Sequence, residues 1–387
     1  MRMRASSHRH LPHNEGMQTH LATPMLGGLS PAQFMRRHWQ KKPLLVRQAF
    51  PSVTPPMARS ALFQLAASAD VESRLVRRSG EHWMVRHGPL PRRSLPAITS
   101  PSWTLLIQGL DLHVPAAHEL LNRFRFIPDA RLDDLMLSWA NDGGGVGPHL
   151  DSYDVFLLQV QGRRHWQIGQ ASDESFIDGL PLRVLRHFEP ETEWTLDPGD
   201  MLYLPPRWAH DGVAVGECMT SSIGFRAPAA GALAGELMSR VGEHALDGDT
   251  SMYRDASQLA TSNPGAIPLH LQRYAHRAVA QALRDPRKLE RALGELMTEP
   301  KPRVWFAPGR HGDLSHGVRL ASATRLMYDA RHVFINGESF IAGGRDARLL
   351  QLLADSRQLD AAACRLLTAP AVGLMLEWLG HGWLEGL

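Results

Sequence analysis

The stretch between about residues 132 and 226 most constrains the fold, because its apolar runs are short and are repeatedly interrupted by turn residues. Runs such as DLMLSWA, VFLLQVQG, HWQIG and CMTSSIGF alternate with segments that contain glycine or proline. Many short strands with this punctuation are typical of a β-sandwich or a small barrel. Within LDPGD, Pro198 and Gly199 suit the central positions of a type II turn. The sequence therefore predicts an antiparallel, barrel-like β-domain.

Short helices and strands are predicted on the N-terminal side of this β-rich region. Pro31 suits the first turn of a helix, in which Phe34 and Trp39 can share an apolar side. The predicted elements are helices in residues 31–41, 58–68 and 118–126 and strands in residues 42–50, 82–87 and 102–112.

The sequence becomes mainly helical after Pro228. Helices are predicted in residues 230–246, 271–284 and 285–298, the last with Asp285 as its N-cap. Such a bundle can pack on itself or on a second copy of the chain. Farther along, Asn336 and Gly337 separate two apolar strands, a strong hairpin signal. Two further helices are predicted, in residues 345–356 and 360–370.

A hairpin followed by short helices is typical of a winged-helix-like module. Because the acidic and basic residues of this segment are balanced, a structural or docking role is favoured over DNA reading. The predicted organisation is a basic extension, a β-rich domain, a helical region and a winged-helix-like domain, in residues 1–24, 25–228, 229–301 and 302–387 respectively.

Composition and charge narrow the class of protein. The 387 residues carry a net charge of +3, and the segment from Arg2 to Arg47 is strongly basic, with Glu15 as its one acid. A solvated basic tail is favoured over an arm that steers towards RNA, so direct nucleic-acid binding stays open. Cys218 and Cys364 are predicted to be buried thiols, which fits a reducing cytoplasm. No apolar run approaches the length of a membrane span, and Met17 offers an alternative start to Met1.

His149 and Asp151 follow the glycine-rich segment GGGVGP and are the strongest candidates for metal ligands. If they lie in a strand, both side chains point to the same face. His210, in PPRWAH, is the best candidate for a third ligand. Two histidines and one carboxylate with open positions form the facial triad of non-haem Fe(II) oxygenases, although zinc could use the same three ligands with a water molecule.

Arg164 provides a second indication of chemistry. It shares strand alternation with Trp166 and Ile168, so it is predicted to point inward with them. A buried cation needs an anionic partner, and arginine binds the carboxylate of a 2-oxoacid in a bidentate manner. The alternative is an arginine whose stem packs while its head reaches solvent. Ser138, just before the glycine segment, is a candidate for lining the same pocket.

These segments resemble the Jumonji-type (JmjC) bacterial ribosomal oxygenases, from about residue 25 onward. The resemblance rests on SWANDGGGVGPHLDSYDVFLLQVQGRRHWQIG, LDPGDMLYLPPRWAHDG and the N-terminal FMRRHWQKKPLLVRQAF. It implies a double-stranded β-helix (jelly-roll, cupin-like) core with Fe(II) on His149, Asp151 and His210. It also implies a helical dimerisation region, so a homodimer, and a winged-helix-like C-terminal domain.

The resemblance further implies that the protein is a 2-oxoglutarate-dependent dioxygenase that hydroxylates an arginine of a large-subunit ribosomal protein, the sixteenth. Arg164 would bind the far carboxylate of 2-oxoglutarate, with Ser138 and Thr220 beside it. Thr220 and Ala140 depart from the Asn and Ser expected there. Asp142 and Asp154 are candidate acceptors for an arginine substrate.

Two other interpretations stay open on the sequence alone. A related hydroxylase or demethylase could act on a histidyl, asparaginyl or lysyl side chain. Alternatively, a non-catalytic, cupin-like metal-binding module could dock on the ribosome, and it would not consume 2-oxoglutarate.

Overall fold

The computed structural model of the chain describes residues 18–171, 173–246, 251–309 and 312–387. These residues fall into two units. The N-terminal unit extends to Ala227, and the C-terminal unit contains most of the chain from Pro228 onward. Most of the predicted basic extension, residues 1–17, lies outside the described residues.

Two long antiparallel strands, β6 and β9, organise the N-terminal unit. They pair with each other along most of their lengths and are interrupted near Gly162 and Gly216, which both have positive φ. The sheet order is β1-β8-β6-β9-β5-β4-β2-β3, with β7 also paired to β6, and every pairing is antiparallel. The strands are β1 Leu44–Val46, β2 Ser73–Ser79, β3 His82–His87, β4 Trp103–Ile107, β5 Leu132–Ala140, β6 Val155–Gln170, β7 Thr192–Leu196, β8 Met201–Leu204 and β9 Trp208–Phe225. The predicted antiparallel β-domain is confirmed.

Three α-helices cover this sheet, α1 Pro31–Arg37, α2 Arg59–Leu65 and α3 Pro115–Asn122. Helix α1 begins at Pro31 as predicted, and Ser30 and Gln33 form a capping box. It ends earlier than predicted, since Gln40 adopts a left-handed conformation with φ of 55°. Its Phe34 is fully buried against Tyr203 and Phe156 of the sheet, with ring centroids 4.9 and 5.4 Å away. This aromatic packing anchors the helix.

The predicted turn between β7 and β8 is present. Asp200 N–H donates to the carbonyl of Asp197 at 3.0 Å, and Gly199 has a φ of 95°. That backbone conformation favours glycine. The turn lets consecutive short strands pair with different parts of the sheet.

The described part of the C-terminal unit combines six helices, α4 to α9, with two small antiparallel sheets, β14-β10-β15 and β11-β12-β13. The predicted hairpin is confirmed, with Asn336 and Gly337 at positive φ between β12 and β13. The elements are α4 Ala230–Leu246, α5 Leu269–Ala282, α6 Pro286–Thr298, β10 Gly317–Leu320, β11 Leu326–Tyr328, β12 His332–Ile335, β13 Glu338–Ile341, α7 Gly344–Ser356, β14 Gln358–Asp360, α8 Ala361–Cys364, α9 Ala369–Gly380 and β15 Leu384–Gly386.

Helix α6, which the sequence places in the helical region, packs against the hairpin. Gly294 lies so close to the ring of Phe334 that an added Cβ would come within 2.3 Å of it. Ser339 donates to the buried Glu295 carboxylate at 2.7 Å. The domain boundaries at residues 25, 229 and 302 stay predictions. In the part of the chain that the structure describes, no helix is long and apolar enough to cross a membrane.

Candidate metal centre

A cavity of about 600 Å³ opens inside the N-terminal unit. Residues of five strands line it, namely β2, β4, β5, β6 and β9. Residues of the segment between β5 and β6 also line it. A volume of this size is ordinary for a small-molecule site. His149, Asp151 and His210 all line it.

These three side chains converge as predicted. One candidate ligand atom from each lies within 4.8 Å of those of the other two, and His210 Nε2 is 3.7 Å from Asp151 Oδ2. His210 is the third residue of β9 and is 2% exposed. The strand context predicted for His149 and Asp151 is wrong, since they lie in an irregular segment. A single antiparallel bridge joins His149 to His210, with paired N–H···O=C bonds of 3.0 Å.

Backbone carbonyls orient both imidazoles. His149 Nδ1 lies 2.9 Å from the carbonyl oxygen of Gly147, and His210 Nδ1 lies 2.9 Å from that of Trp208. A carbonyl only accepts, so each Nδ1 is the protonated nitrogen and each Nε2 keeps its lone pair. Metal-binding histidines are commonly held in this way. Both rings are therefore oriented to present Nε2 to a cation.

The protonation of His210 also favours metal binding. Burial, and the nearby His149 imidazole, lower the pKa of His210 to about 4. At neutral pH the ring is therefore neutral, which is the form that coordinates a metal. The donor set of two neutral imidazoles and a carboxylate fits a divalent transition metal such as Fe(II).

The glycine-rich segment supports this geometry in two ways. A Cβ on Gly144 or Gly145 would lie 2.5 or 2.7 Å from the backbone oxygens of Trp103 and Gly212. These two glycines therefore let the segment pass close to the backbones of β4 and β9. Gly147 has a φ of 81° and supplies the carbonyl that holds His149.

Arg164 points inward, as the alternation of β6 predicts. It lines the cavity and is 5% exposed, and its guanidinium carbon lies 5.7 Å from the centre of the Trp166 ring. Its buried Nε and Nη2 have no hydrogen-bond partner among the described residues. Leaving a buried cation without such partners is costly. An anionic ligand in the cavity would supply them.

The other two predicted co-substrate residues lie at neighbouring positions. Ser138 lines the cavity, and its hydroxyl donates to the carbonyl of Thr220 at 3.3 Å. Thr220 sits opposite it on β9 but is not among the described residues that line the cavity. The Thr220 hydroxyl instead donates to Gln159 Oε1 at 2.9 Å. Direct contact of Thr220 with a co-substrate stays a prediction.

The prediction that Asp142 and Asp154 lie near the metal is wrong. Asp154 is fully buried and accepts from Tyr203 and Gln40, while Asp142 accepts from the Gly216 N–H. Neither is among the described residues that line the cavity. Asp133, Asp134 and Tyr153 are among the residues that line it. Asp134 could have been found in the sequence, because it shares strand alternation with Ser138.

Comparisons with known families match two parts of the chain. A JmjC-domain model matches residues 119–233, and a model of the ROXA-like winged helix matches residues 280–385. The ribosomal protein uL16 3-hydroxylase of Escherichia coli K12 is 32% identical over 358 residues, which are 89% of this chain and 91% of that protein. A probable ribosomal oxygenase of Haemophilus influenzae is 40% identical over 205 residues, covering 52% of this chain and 50% of that protein.

Solved structures show the same likeness. The X-ray structure of Escherichia coli YcfD matches with a TM-score of 0.79 and 28% identity, over 92% of this chain and 97% of that one. A structure of YcfD, described as a ribosomal oxygenase in complex with cobalt and 2-oxoglutarate, matches with a TM-score of 0.77 at the same identity and covers 92% and 98% of the two chains.

Proposed function

Because this chain belongs to the JmjC-type ribosomal oxygenases, we propose that it hydroxylates an arginine side chain of ribosomal protein uL16. The reaction would use Fe(II), 2-oxoglutarate and dioxygen. The E. coli relative of similar length is named for 3-hydroxylation of uL16, and a YcfD structure contains cobalt with 2-oxoglutarate.

One observation carries the proposal more than any other. The buried Arg164 guanidinium, with Nε and Nη2 unpartnered among the described residues, lines the same cavity as His149, Asp151 and His210. A metal-stabilised binding module needs the three ligands but has no use for a buried cation beside them. A dicarboxylic 2-oxoacid that chelates the metal at one end needs a cation for its other end.

Different residues of the cavity bind the metal, bind the co-substrate and limit the access of water. Fe(II) held by the three ligands would supply, with 2-oxoglutarate and dioxygen, the oxidation that converts a C–H bond to C–OH and releases succinate and carbon dioxide. His149, Asp151 and His210 would hold the metal through two imidazole nitrogens and one carboxylate. Arg164 fixes the distal carboxylate, and the apolar cavity wall around Leu157 and Trp166 limits access of water.

Asp133 and Asp134 line the cavity, together with Arg74 and Arg183, and offer two carboxylates to a cationic substrate side chain. Asp134 is 2% exposed, and its Oδ2 accepts from Gln108 Nε2 at 2.7 Å and from the Gly109 N–H at 2.9 Å. These bonds hold the carboxylate in place at the cavity. A guanidinium bound there would gain a charge-assisted hydrogen bond. This supports arginine over an asparaginyl or histidyl substrate.

Asp134→Asn is expected to lower kcat/KM for a uL16 peptide about 10- to 100-fold, the value of one charge-assisted hydrogen bond. The KM for 2-oxoglutarate should stay within about twofold, because Arg164 is untouched. Steady-state kinetics with each substrate varied in turn would check this. Asp142→Asn is the matched control, since Asp142 is not a described lining residue of the cavity. Equal losses in both variants would argue against the substrate contact.

The direct test of the activity uses purified protein with Fe(II), 2-oxoglutarate and uL16 fragments, followed by mass spectrometry. The expected product carries one added oxygen atom on an arginine, with succinate formed in equal amount. An added oxygen on a histidine or asparagine, or loss of a methyl group from lysine, would instead identify one of the related activities. Absence of any product with metal and co-substrate bound would favour the docking module.

We further propose that the helical region pairs with a second copy of the chain, in the cytoplasm where ribosomal proteins are made. Helix α5 has no buried residue among those described, and its apolar Leu271 and Val279 are 37% and 53% exposed. Leu269, Leu283 and Met238 of the same unit are 58%, 44% and 55% exposed. Apolar surface of this kind marks a protein interface.

Val279→Glu should convert a dimer to a monomer, because it places a charge within the apolar stripe. Light scattering at several concentrations would report the halved mass. Gln281→Glu adds the same charge two residues away on α5, on another side of the helix, and should leave the mass unchanged. A wild-type protein that is monomeric at micromolar concentration would contradict the proposal.

A further inference from the structure

The direction of Arg164 depends on an irregularity in β6. Leu157 and Arg164 both line the cavity, yet they are seven positions apart. Strict strand alternation puts residues an odd number apart on opposite faces. Without the irregularity, the cavity would therefore receive Arg163, which is exposed in the structure. The position of the cation is set by the break in alternation.

The register of β6 against β9 locates this break. Gln159 pairs with Thr220 and Gln161 with Met219, so β6 advances two residues while β9 advances one. A second irregularity follows, in which β6 advances two residues to Arg163 while β9 advances four to Val215. Both of those steps are even, so only the first irregularity changes the relative alternation of the two strands. One extra residue on one strand is a β-bulge, which disrupts the ladder and redirects the following side chains. Gly162 follows with a φ of 60°, and a Cβ there would lie 2.1 Å from the carbonyl oxygen of Glu217. The bulge is thus tightly enclosed.

The Gln159 side chain spans the bulge. It is fully buried, and its Nε2 donates to the carbonyls of Gln161 at 2.8 Å and Gly162 at 3.2 Å. These carbonyls lie where the register of the two strands shifts, so the amide bonds to the backbone at the bulge itself. Bonds of this kind hold one bulge geometry over its alternatives.

Thr220 fixes the orientation of that amide. Its hydroxyl donates to Gln159 Oε1 at 2.9 Å, so the amide nitrogen must face the bulge. Thr220 is 1% exposed, so bulk water does not compete for this bond. The result is a chain of contacts from Thr220 through Gln159 to the backbone that carries Arg164.

We propose that Gln159 and Thr220 are positioning residues for co-substrate binding, which act by holding the β6 bulge that turns Arg164 into the cavity. This inference rests on the proposed function, since it takes Arg164 as the anchor of the distal carboxylate of 2-oxoglutarate. It gives Thr220 a role through Gln159 in place of direct contact with the co-substrate.

The test measures ligand binding to full-length protein loaded with Mn(II), by isothermal titration calorimetry. Two ligands are compared: 2-oxoglutarate, which has a distal carboxylate, and oxalate, which chelates the metal and has none. Gln159→Leu should weaken 2-oxoglutarate about tenfold, as expected for a displaced buried contact, and leave oxalate within about twofold. General damage to the fold would weaken both ligands alike.

Thr220 supplies a second test that does not depend on the folding of the Gln159→Leu variant. Thr220→Val removes the hydroxyl and keeps the shape, and should weaken 2-oxoglutarate about threefold to tenfold with oxalate unchanged. Thr220→Ser keeps the donor and should bind as wild type does, within about twofold. Ser73→Ala is the control, because it removes another buried hydroxyl from the sheet, one that bonds to the Ala66 carbonyl.

The outcomes separate the two proposals. Wild-type protein that binds oxalate but not 2-oxoglutarate would overturn the proposed function and this inference with it. Wild-type binding of both ligands with unchanged 2-oxoglutarate affinity in Gln159→Leu and Thr220→Val would overturn this inference alone. Equal loss of both ligands, or equal behaviour of Thr220→Val and Thr220→Ser, would also overturn it.

Discussion

Replacing Arg164 with Met is expected to reduce kcat/KM for 2-oxoglutarate more than about 100-fold. Two charge-assisted hydrogen bonds to the distal carboxylate would be lost, each contributing about 1.5–3 kcal/mol. Met replaces the unbranched stem of the arginine and has no charge, so much of the packing of the cavity wall should be kept. Removing a buried cation whose Nε and Nη2 lack hydrogen-bond partners among the described residues should also raise the stability of the metal-free protein.

This pairing of lower activity with higher stability distinguishes a functional cation from a structural one. Thermal unfolding and single-turnover kinetics on the same preparation would measure both quantities. Arg163→Met is a close control, since Arg163 is the adjacent residue on β6 but is exposed. Similar kinetic losses in the two variants would contradict the assignment of Arg164.

Replacing Asp151 with Ala is expected to abolish hydroxylation and to weaken Mn(II) binding by more than about 100-fold. Residues that only hydrogen-bond to a metal ligand contribute about 10- to 100-fold to metal affinity, and a direct anionic ligand contributes more. Equilibrium titration with Mn(II), followed by electron paramagnetic resonance, would report the change. The fold should persist, because Asp151 lies outside the regular strands.

Asp142→Ala provides the comparison for this loss. Asp142 also carries a carboxylate near the glycine-rich segment, and it bonds to the Gly216 N–H instead of facing the cavity. We expect Mn(II) affinity within about twofold of wild type in that variant. Retention of full Mn(II) affinity in Asp151→Ala would exclude this carboxylate as a ligand.

The alternation of local sequence was enough to predict the direction of Arg164, because Arg164, Trp166 and Ile168 lie on a regular part of β6. It could not reveal why Arg164 and Leu157 share a face, since a bulge depends on pairing with a strand about 60 residues away. Gly162 was the one residue of the local sequence that indicated the bulge. The convergence of His149, Asp151 and His210 was predicted from residue type, although the first two do not lie in a strand.

Other differences have local physical causes. Asp154 lies close to the metal ligands in sequence. Its carboxylate, however, accepts hydrogen bonds from Tyr203 and Gln40 in a buried network away from the cavity. A single helix was predicted in residues 360–370, whereas α8 ends at Cys364 and α9 begins at Ala369. Pro370 occupies the first turn of α9, where proline starts a helix more often than it ends one.

A crystal structure with Mn(II) and 2-oxoglutarate would test the central claim most directly. We expect one metal ion within about 2.0–2.3 Å of His149 Nε2, Asp151 Oδ and His210 Nε2. The keto-acid end of 2-oxoglutarate should complete its coordination, and the distal carboxylate should accept hydrogen bonds from Arg164. A metal closed off by a fourth protein ligand, or a 2-oxoglutarate molecule bound away from Arg164, would contradict the account.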